Sequence, residues 1–163
     1  MVHFAEYESP MGRLLLTCDD HGLTGLWMMR NPPEDAHPGK DHPILDKTMQ
    51  WLDAYFRGEE TAVNVPLVPS GTAFQQRVWK RLLEIPYGSV CTYGEIAREI
   101  AAETGKRMSA QAVGGAVGSN PISILIPCHR VVGARGSLTG YAGGLDNKIW
   151  LLRHEGWKGS YGK

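Results

Sequence analysis

Cysteine, histidine and arginine follow one another at Cys128-His129-Arg130, with apolar Ile124-Leu125-Ile126-Pro127 before them and Val131-Val132 after. Proline cannot donate a ladder hydrogen bond and fixes its own φ, so the pattern predicts a buried strand that Pro127 interrupts just before the sulfur. Taken alone, a free cysteine packs as a small hydrophobe as readily as it reacts. Two polar side chains share this apolar stretch, however, and buried polar groups cost free energy unless partnered, which favours a nucleophile. A cation or donor beside a thiol lowers its pKa from about 8.5 and increases the reactive thiolate. Cys18 and Cys91 have no such neighbours and are read as packing residues. Glu155 falls in the last turn of a predicted helix, where the helix dipole disfavours an anion, so it calls for a partner, and His129 is the candidate.

The elements that hold these groups follow from periodicity and turn chemistry. Alternation over residues 3–8, 13–17 and 23–28, with turns at Ser9-Pro10-Met11-Gly12 and Asp19-Asp20-His21-Gly22, predicts an antiparallel meander. A polar loop over 31–42 follows, then a helix whose inner face is Ile44, Leu45, Met49, Leu52, Tyr55 and Phe56, ended by Gly58. Residues 1–70 therefore form a small α/β domain, closing in a linker with a strand-like patch over 62–68. Thr72 with Gln75, and Thr92 with Glu95, are capping-box pairs that open two helices of a second domain, residues 71–163.

A third helix, Ala110-Gln111-Ala112-Val113-Gly114-Gly115-Ala116-Val117-Gly118, consists almost wholly of small residues. Each glycine there costs about 1 kcal/mol relative to alanine. A bare helix surface admits another backbone, either inside the fold or on a ligand, and helix, short turn and small-faced helix is a helix-turn-helix arrangement. Asp146 is the expected cap of the last helix, with Ile149 and Leu152 inward and Gly156 past its end.

The chain has 163 residues, 42% of them hydrophobic, enough for a real core. No apolar run has membrane-spanning length and no secretory leader is evident, so a soluble, cytoplasmic protein is expected. Three cysteines at unrelated spacings make neither a disulfide framework nor a paired metal motif, and the Cys18/His21 pair is read as incidental. No cofactor is expected and no metal at the site, while metal binding in the first domain is left open. Residues 1–70 carry 5 Lys and Arg against 11 Asp and Glu, whereas residues 71–163 carry 12 against 6. A basic half of domain size is the footprint of a phosphate-binding surface; an inert dipolar protein is the alternative.

Taken together, several segments resemble the O6-alkylguanine-DNA alkyltransferases: Ile85-Pro86-Tyr87-Gly88 with Thr92-Tyr93-Gly94, Ala112-Val113-Gly114-Gly115-Ala116, Gly118-Ser119-Asn120-Pro121, Ile126-Pro127-Cys128-His129-Arg130-Val131, Gly140-Tyr141-Ala142-Gly143-Gly144 and Lys148-Ile149-Trp150-Leu151-Leu152-Arg153-His154-Glu155-Gly156. The resemblance implies an α/β, ribonuclease-H-like first domain and a mainly α, helix-turn-helix (winged-helix-like) DNA-binding and active-site domain. It implies that Cys128 accepts an alkyl group from O6 of guanine, or O4 of thymine, once the damaged nucleotide has been flipped from duplex DNA. His129 is then the base, acting through a water, with Glu155 holding its tautomer, and Tyr93 and Lys148 assist the departing base. Asn120, Val131, Tyr141, Ala142, Ser119 and Ser123 line the pocket. Gln111, Ala112, Gly115, Ala116, Tyr93 and Arg130 face DNA, the small residues entering the minor groove. Each molecule acts once, as a monomer whose clustering on DNA is left open.

Two positions depart from the family's pattern. Gln111 stands where an arginine ordinarily fills the gap left by the flipped base, which predicts weaker or slower duplex repair, supported in part by Lys106 or Arg107. Ser123 stands where some relatives carry proline, which predicts limited reaction with free benzylguanine. The competing classes are a lesion-binding protein without transfer activity, a thiol hydrolase with an oxyanion hole, and a helix-turn-helix regulator; the last leaves Cys128, His129 and Glu155 unexplained.

Overall fold

Alternating side chains in the first thirty residues build three antiparallel strands, β1 (His3–Ser9), β2 (Gly12–Cys18) and β3 (Leu23–Met28). The computed structural model describes residues 1–138, 141 and 144–159. In it β2 is an inner strand of a sheet ordered β3-β2-β1-β4, and Leu14, Leu15, Leu16, Thr17 and Cys18 are all buried, so both of its faces are covered. The edge strand β4 (His37–Pro38) pairs parallel with β1 and comes from the segment expected to be loop. Two residues, one of them proline, carry no alternation to read, and an edge tolerates the missing donor.

Helix α1 (Pro43–Phe56) starts with proline at its first position and His42 as cap, whose Nδ1 accepts from the Ile44 N–H at 3.2 Å. It buries Leu45, Thr48, Trp51, Leu52 and Tyr55. The strand-like patch in the linker is realised on β3, where Leu23 donates to the Pro66 carbonyl and Val68 donates to that of Leu23, both at 2.8 Å. Gly22 is required beside it, since a Cβ there would sit 2.6 Å from the Pro66 oxygen. The chain divides into two compact units, Met1–Ser70 with Pro121–Leu125, and Gly71–Asn120 with Ile126–Lys163. The returning segment joins the first unit through β3: Leu26 donates to Pro121 at 2.9 Å, and Ser123 donates to Leu26 at 3.1 Å.

In the second unit, α2 (Ala73–Leu82) opens with the reciprocal capping box, Gln75 N–H to Thr72 Oγ1 at 3.1 Å and Thr72 N–H to Gln75 Oε1 at 2.8 Å. Helix α3 (Tyr93–Thr104) shows one half of the box expected there. Thr92 accepts from the Glu95 N–H, while the Glu95 carboxylate accepts from the Thr92 hydroxyl and the Cys91 thiol. Gly105, at φ 70°, ends α3 in the left-handed conformation that glycine adopts without strain. Helix α4 (Ala110–Gly118) turns Val113, Ala116 and Val117 inward, and the Trp79 indole of α2 donates to the Ala116 carbonyl at 2.7 Å.

The run around the cysteine differs from the expected interrupted strand. Residues 123–125 form a turn, with Ile124 at φ 71°, Ile126 is a bend, and Cys128–Arg130 is one turn of 3₁₀ helix. Strand geometry resumes at β6 (Val131–Val132), paired parallel with β5 (Cys91–Thr92). Burial in a turn needs apolar side chains as much as burial in a sheet does, so composition alone could not separate the two. Helix α5 (Leu145–His154) is preceded by Gly144 at φ 93°, and Asp146 lies in its first turn, so the expected aspartate cap is absent. No helix among the described residues is long and apolar enough to cross a membrane.

Gly115 of α4 is exposed, and a Cβ built there meets nothing within 4 Å among the described residues. Gly115→Ala is therefore expected to stabilise the protein by about 0.5–1 kcal/mol, measured by urea unfolding, because helix propensity improves with no packing to disturb.

Candidate active site

The 3₁₀ turn after Pro127 aims two reactive side chains inward. Pro127 sits at φ −80°, ψ 67°, the Cys128 N–H bonds back to Ile126 O at 2.7 Å, and the Arg130 N–H bonds to Pro127 O at 3.0 Å. Cys128 is 3% exposed and His129 wholly buried. Burial pushes the Cys128 thiol above its ordinary range. Hydrogen bonds from Asn120 and Tyr141 and the charge of Lys148 act the other way without prevailing. The expectation of a lowered thiol pKa is thus reversed, because the desolvation that sequence does not display exceeds the help of the neighbours. The resting group is a thiol that needs a base.

That base is arranged by Glu155, the residue that ends α5. His129 Nε2 lies 2.7 Å from Glu155 Oε2, Arg130 Nε donates to Oε1 at 2.7 Å, and Arg130 Nη2 donates to Oε2 at 2.9 Å. Burial alone would raise the Glu155 pKa, but the bonds and charges of His129 and Arg130 carry it well below the usual carboxylate range. An ionised carboxylate only accepts, so His129 donates through Nε2 and its Nδ1 keeps a bare lone pair. That Nδ1 is buried and has no hydrogen-bond partner among the described residues. Burial lowers the His129 pKa and Glu155 opposes it, with the net shift downward. The imidazole is therefore neutral near pH 7 and able to take a proton.

Lys148, on the inner face of α5, is completely buried and donates to the Val131 carbonyl at 2.6 Å. Its Nζ lies 5.9 Å from the Tyr93 ring centroid, and the same ring packs 3.7 Å from where a Gly114 Cβ would stand. Burial lowers the Lys148 pKa to about 8, against the pull of Cys128. Asn120, 5% exposed, donates to the Ile126 carbonyl at 2.9 Å. Cys128, His129, Glu155, Lys148, Tyr93, Asn120, Val131 and Tyr141 are thus parts of one unit.

Other expected site residues fall elsewhere. Gln111, Ala112 and Gly115 occupy the exposed face of α4, but Ala116 is 4% exposed and faces inward, as its helical spacing from Val113 requires. The Ser119 hydroxyl donates to Ala116 O at 3.0 Å and accepts from Gln75 Nε2 at 3.0 Å, which commits it to the end of α4. Arg130, expected to face DNA, spends its remaining arm on the Ile85 carbonyl at 2.8 Å and stands 5.7 Å over the Tyr87 ring. Ser123 packs in the first unit, and Ala142 lies outside the described residues. Ile85 and Tyr87 belong to a segment that carries the family resemblance, but the sequence assigns them no part in holding Arg130.

Among the described residues, His3, Asp20 and His42 of the first unit offer metal-ligand atoms within 4.8 Å of one another. His42 Nδ1, however, accepts the Ile44 N–H, which leaves the ring proton on Nε2, 3.7 Å from Asp20 Oδ1. Coordination needs a bare nitrogen, so the trio is arranged as helix cap and polar contact rather than as a ligand set.

Comparison with known proteins places this geometry. Residues 73–157 match the DNA binding domain, and residues 2–69 the ribonuclease-like domain, of 6-O-methylguanine DNA methyltransferase. The chain is 44% identical over 158 residues to the methylated-DNA--protein-cysteine methyltransferase of Methanosarcina acetivorans, covering 95% of this chain and 99% of the relative. It is 46% identical to the Mycobacterium tuberculosis protein of the same name, covering 95% and 93%. The crystal structure of Mycobacterium tuberculosis OGT in complex with DNA superposes with a TM-score of 0.83 at 46% identity, covering 94% of this chain and 92% of that one. With both domains matched and close relatives aligned nearly end to end, the chain belongs to the 6-O-methylguanine DNA methyltransferase family.

Proposed function

We propose that this protein repairs DNA by moving an alkyl group from O6 of guanine, and from O4 of thymine, onto Cys128. The observation that carries the reading is the buried array of thiol, neutral imidazole and clamped carboxylate in a chain of this family. His129 Nδ1 receives the thiol proton, through a water as the resemblance implies. The sulfur bonds to the alkyl carbon, the carbon–oxygen bond breaks, and the guanine anion is met by a proton from Tyr93 or Lys148. The product is a thioether with no activated bond, so the molecule acts once. The proposed substrate is duplex DNA, and the location proposed with it is the cytoplasm, on the nucleoid.

The basic second half and the face of α4 support DNA as partner. Gly115 gives up helix stability where nothing among the described residues needs the space, which suits a surface that another backbone must approach closely. Transfer separates this reading from lesion binding without chemistry. Retention of the group separates it from a thiol hydrolase.

Incubation with excess O6-methylguanine duplex is expected to add one methylene to the intact mass, on the peptide holding Cys128, and to add nothing to Cys128→Ser. An unchanged wild-type mass, or many bases restored per molecule, overturns the reading. Gln111 is exposed at the start of α4, so Gln111→Arg is expected to speed single-turnover transfer on duplex DNA and tighten binding; equal rates and affinities overturn the role given to it. Lys148 titrates near 8 in the fold against 10.5 in its absence, so the cost of burying its charge is full below pH 8 and fades as pH rises toward 10.5. Lys148→Met is therefore expected to be more stable at pH 7, on the order of 2 kcal/mol after loss of the Val131 hydrogen bond, yet about a hundredfold slower in transfer. Urea unfolding at pH 7 and pH 10 and quenched single-turnover assays read the two effects.

A further inference from the structure

Arg130 directs all three of its nitrogens into the protein. Nε and Nη2 fork across both oxygens of Glu155 at 2.7 and 2.9 Å, Nη1 reaches the Ile85 carbonyl at 2.8 Å, and its side chain is 12% exposed. The same Glu155 Oε2 receives His129 Nε2 at 2.7 Å. We infer that Arg130 is a positioning residue for proton transfer: by gripping both oxygens of Glu155, one of them shared with the imidazole, it keeps His129 neutral, protonated on Nε2 and bare on Nδ1.

The physics is a balance of charges around one buried carboxylate. A buried histidine facing an unshared carboxylate gains from becoming imidazolium, because the pair then neutralises both charges. An imidazolium cannot accept the Cys128 proton. Arg130 supplies the neutralising cation in advance and in a rigid bidentate geometry, so Glu155 orients the ring without protonating it. The charged groups acting on His129 are Glu155 and Lys148 from α5 and Arg130 from its own turn. Helix α2 also packs on this turn; of its cations, Arg77 pairs with Glu103 and Arg81 with Glu99, and Lys80 is exposed. Arg130 and Lys148 both disfavour the imidazolium, and Glu155 favours it.

The inference rests on the proposed transfer reaction for its consequence, but not for its first test. The imidazole and carboxyl resonances of His129 and Glu155 are followed by NMR against pH in wild type, Arg130→Met and Arg130→Lys. Wild type is expected to keep the Nε2–H tautomer and a neutral ring through neutral pH. In Arg130→Met the His129–Glu155 pair is expected to take up its proton about one pH unit higher or more. Arg130→Lys keeps the charge and loses the fork, and is expected to move in the same direction by less; it carries the test if the methionine variant does not fold. Titration unchanged from wild type in the folded variants overturns the inference.

Single-turnover transfer then reads the consequence. Arg130→Met is expected to lose about tenfold more activity near pH 6.5 than near pH 8.5. An equal loss at both values marks Arg130 as a merely structural residue and overturns the inference. If wild type transfers no alkyl group at all, the proposed function falls, and the NMR titration still decides what Arg130 does.

Discussion

One buried carboxylate organises the second half of this protein. Glu155 ends α5, where the helix dipole works against it, and lies out of water, where its charge is costly. Hydrogen bonds from His129 and Arg130, with a longer one from the Gly88 N–H at 3.5 Å, offset that cost, and those from the two side chains have a second effect. The bond from His129 fixes a tautomer. Those from Arg130 tie the turn after Pro127 to the end of α5, while the third arm of the guanidinium ties it to the loop after α2. Removing either partner would leave an under-compensated charge in the interior, so the elements that carry these residues are held in register by electrostatics as well as by packing.

The same burial that makes Glu155 demanding makes Cys128 inert at rest. A thiol above its ordinary pKa is protected from adventitious oxidation and alkylation, since the thiolate is the reactive form. Its activation then depends on a neighbour that is both uncharged and oriented. Lys148 shares in this economy of charge. Its ammonium is held close to the threshold at which it gives up a proton, which costs folding energy and leaves a proton donor beside Tyr93. Desolvation thus shifts Cys128, His129 and Lys148 from their solution behaviour, while the bonds and charges of His129 and Arg130 shift Glu155 against it; the raised thiol is the one shift that the proposed reaction must overcome, through a neutral base.

Much of the architecture was readable in advance. The meander followed from alternation, α1 from its apolar face and Gly58, and α2 from a Thr72–Gln75 pair whose reciprocal bonds are both formed. The Thr92–Glu95 pair shows the limit of such a reading: the same pattern formed only half a box, with the Glu95 carboxylate accepting from the Thr92 hydroxyl and the Cys91 thiol. Residues 124–126 show another, since an apolar run states that a segment is buried and not whether it is extended. Ile124 at φ 71° is a conformation that no local preference of isoleucine predicts.

What the amino-acid order determined alone is the list of reactive groups and their family resemblance: cysteine beside histidine after proline, a glutamate misplaced at a helix end, a helix stripped to small residues. Those are local facts, set by residue type and short spacing. Only the tertiary structure decided that the thiol is raised rather than lowered, that Ala116 faces inward, and that Arg130 grips Glu155. Each of these depends on how much water is excluded and which distant group arrives within 3 Å, and neither quantity exists until the chain has closed on itself.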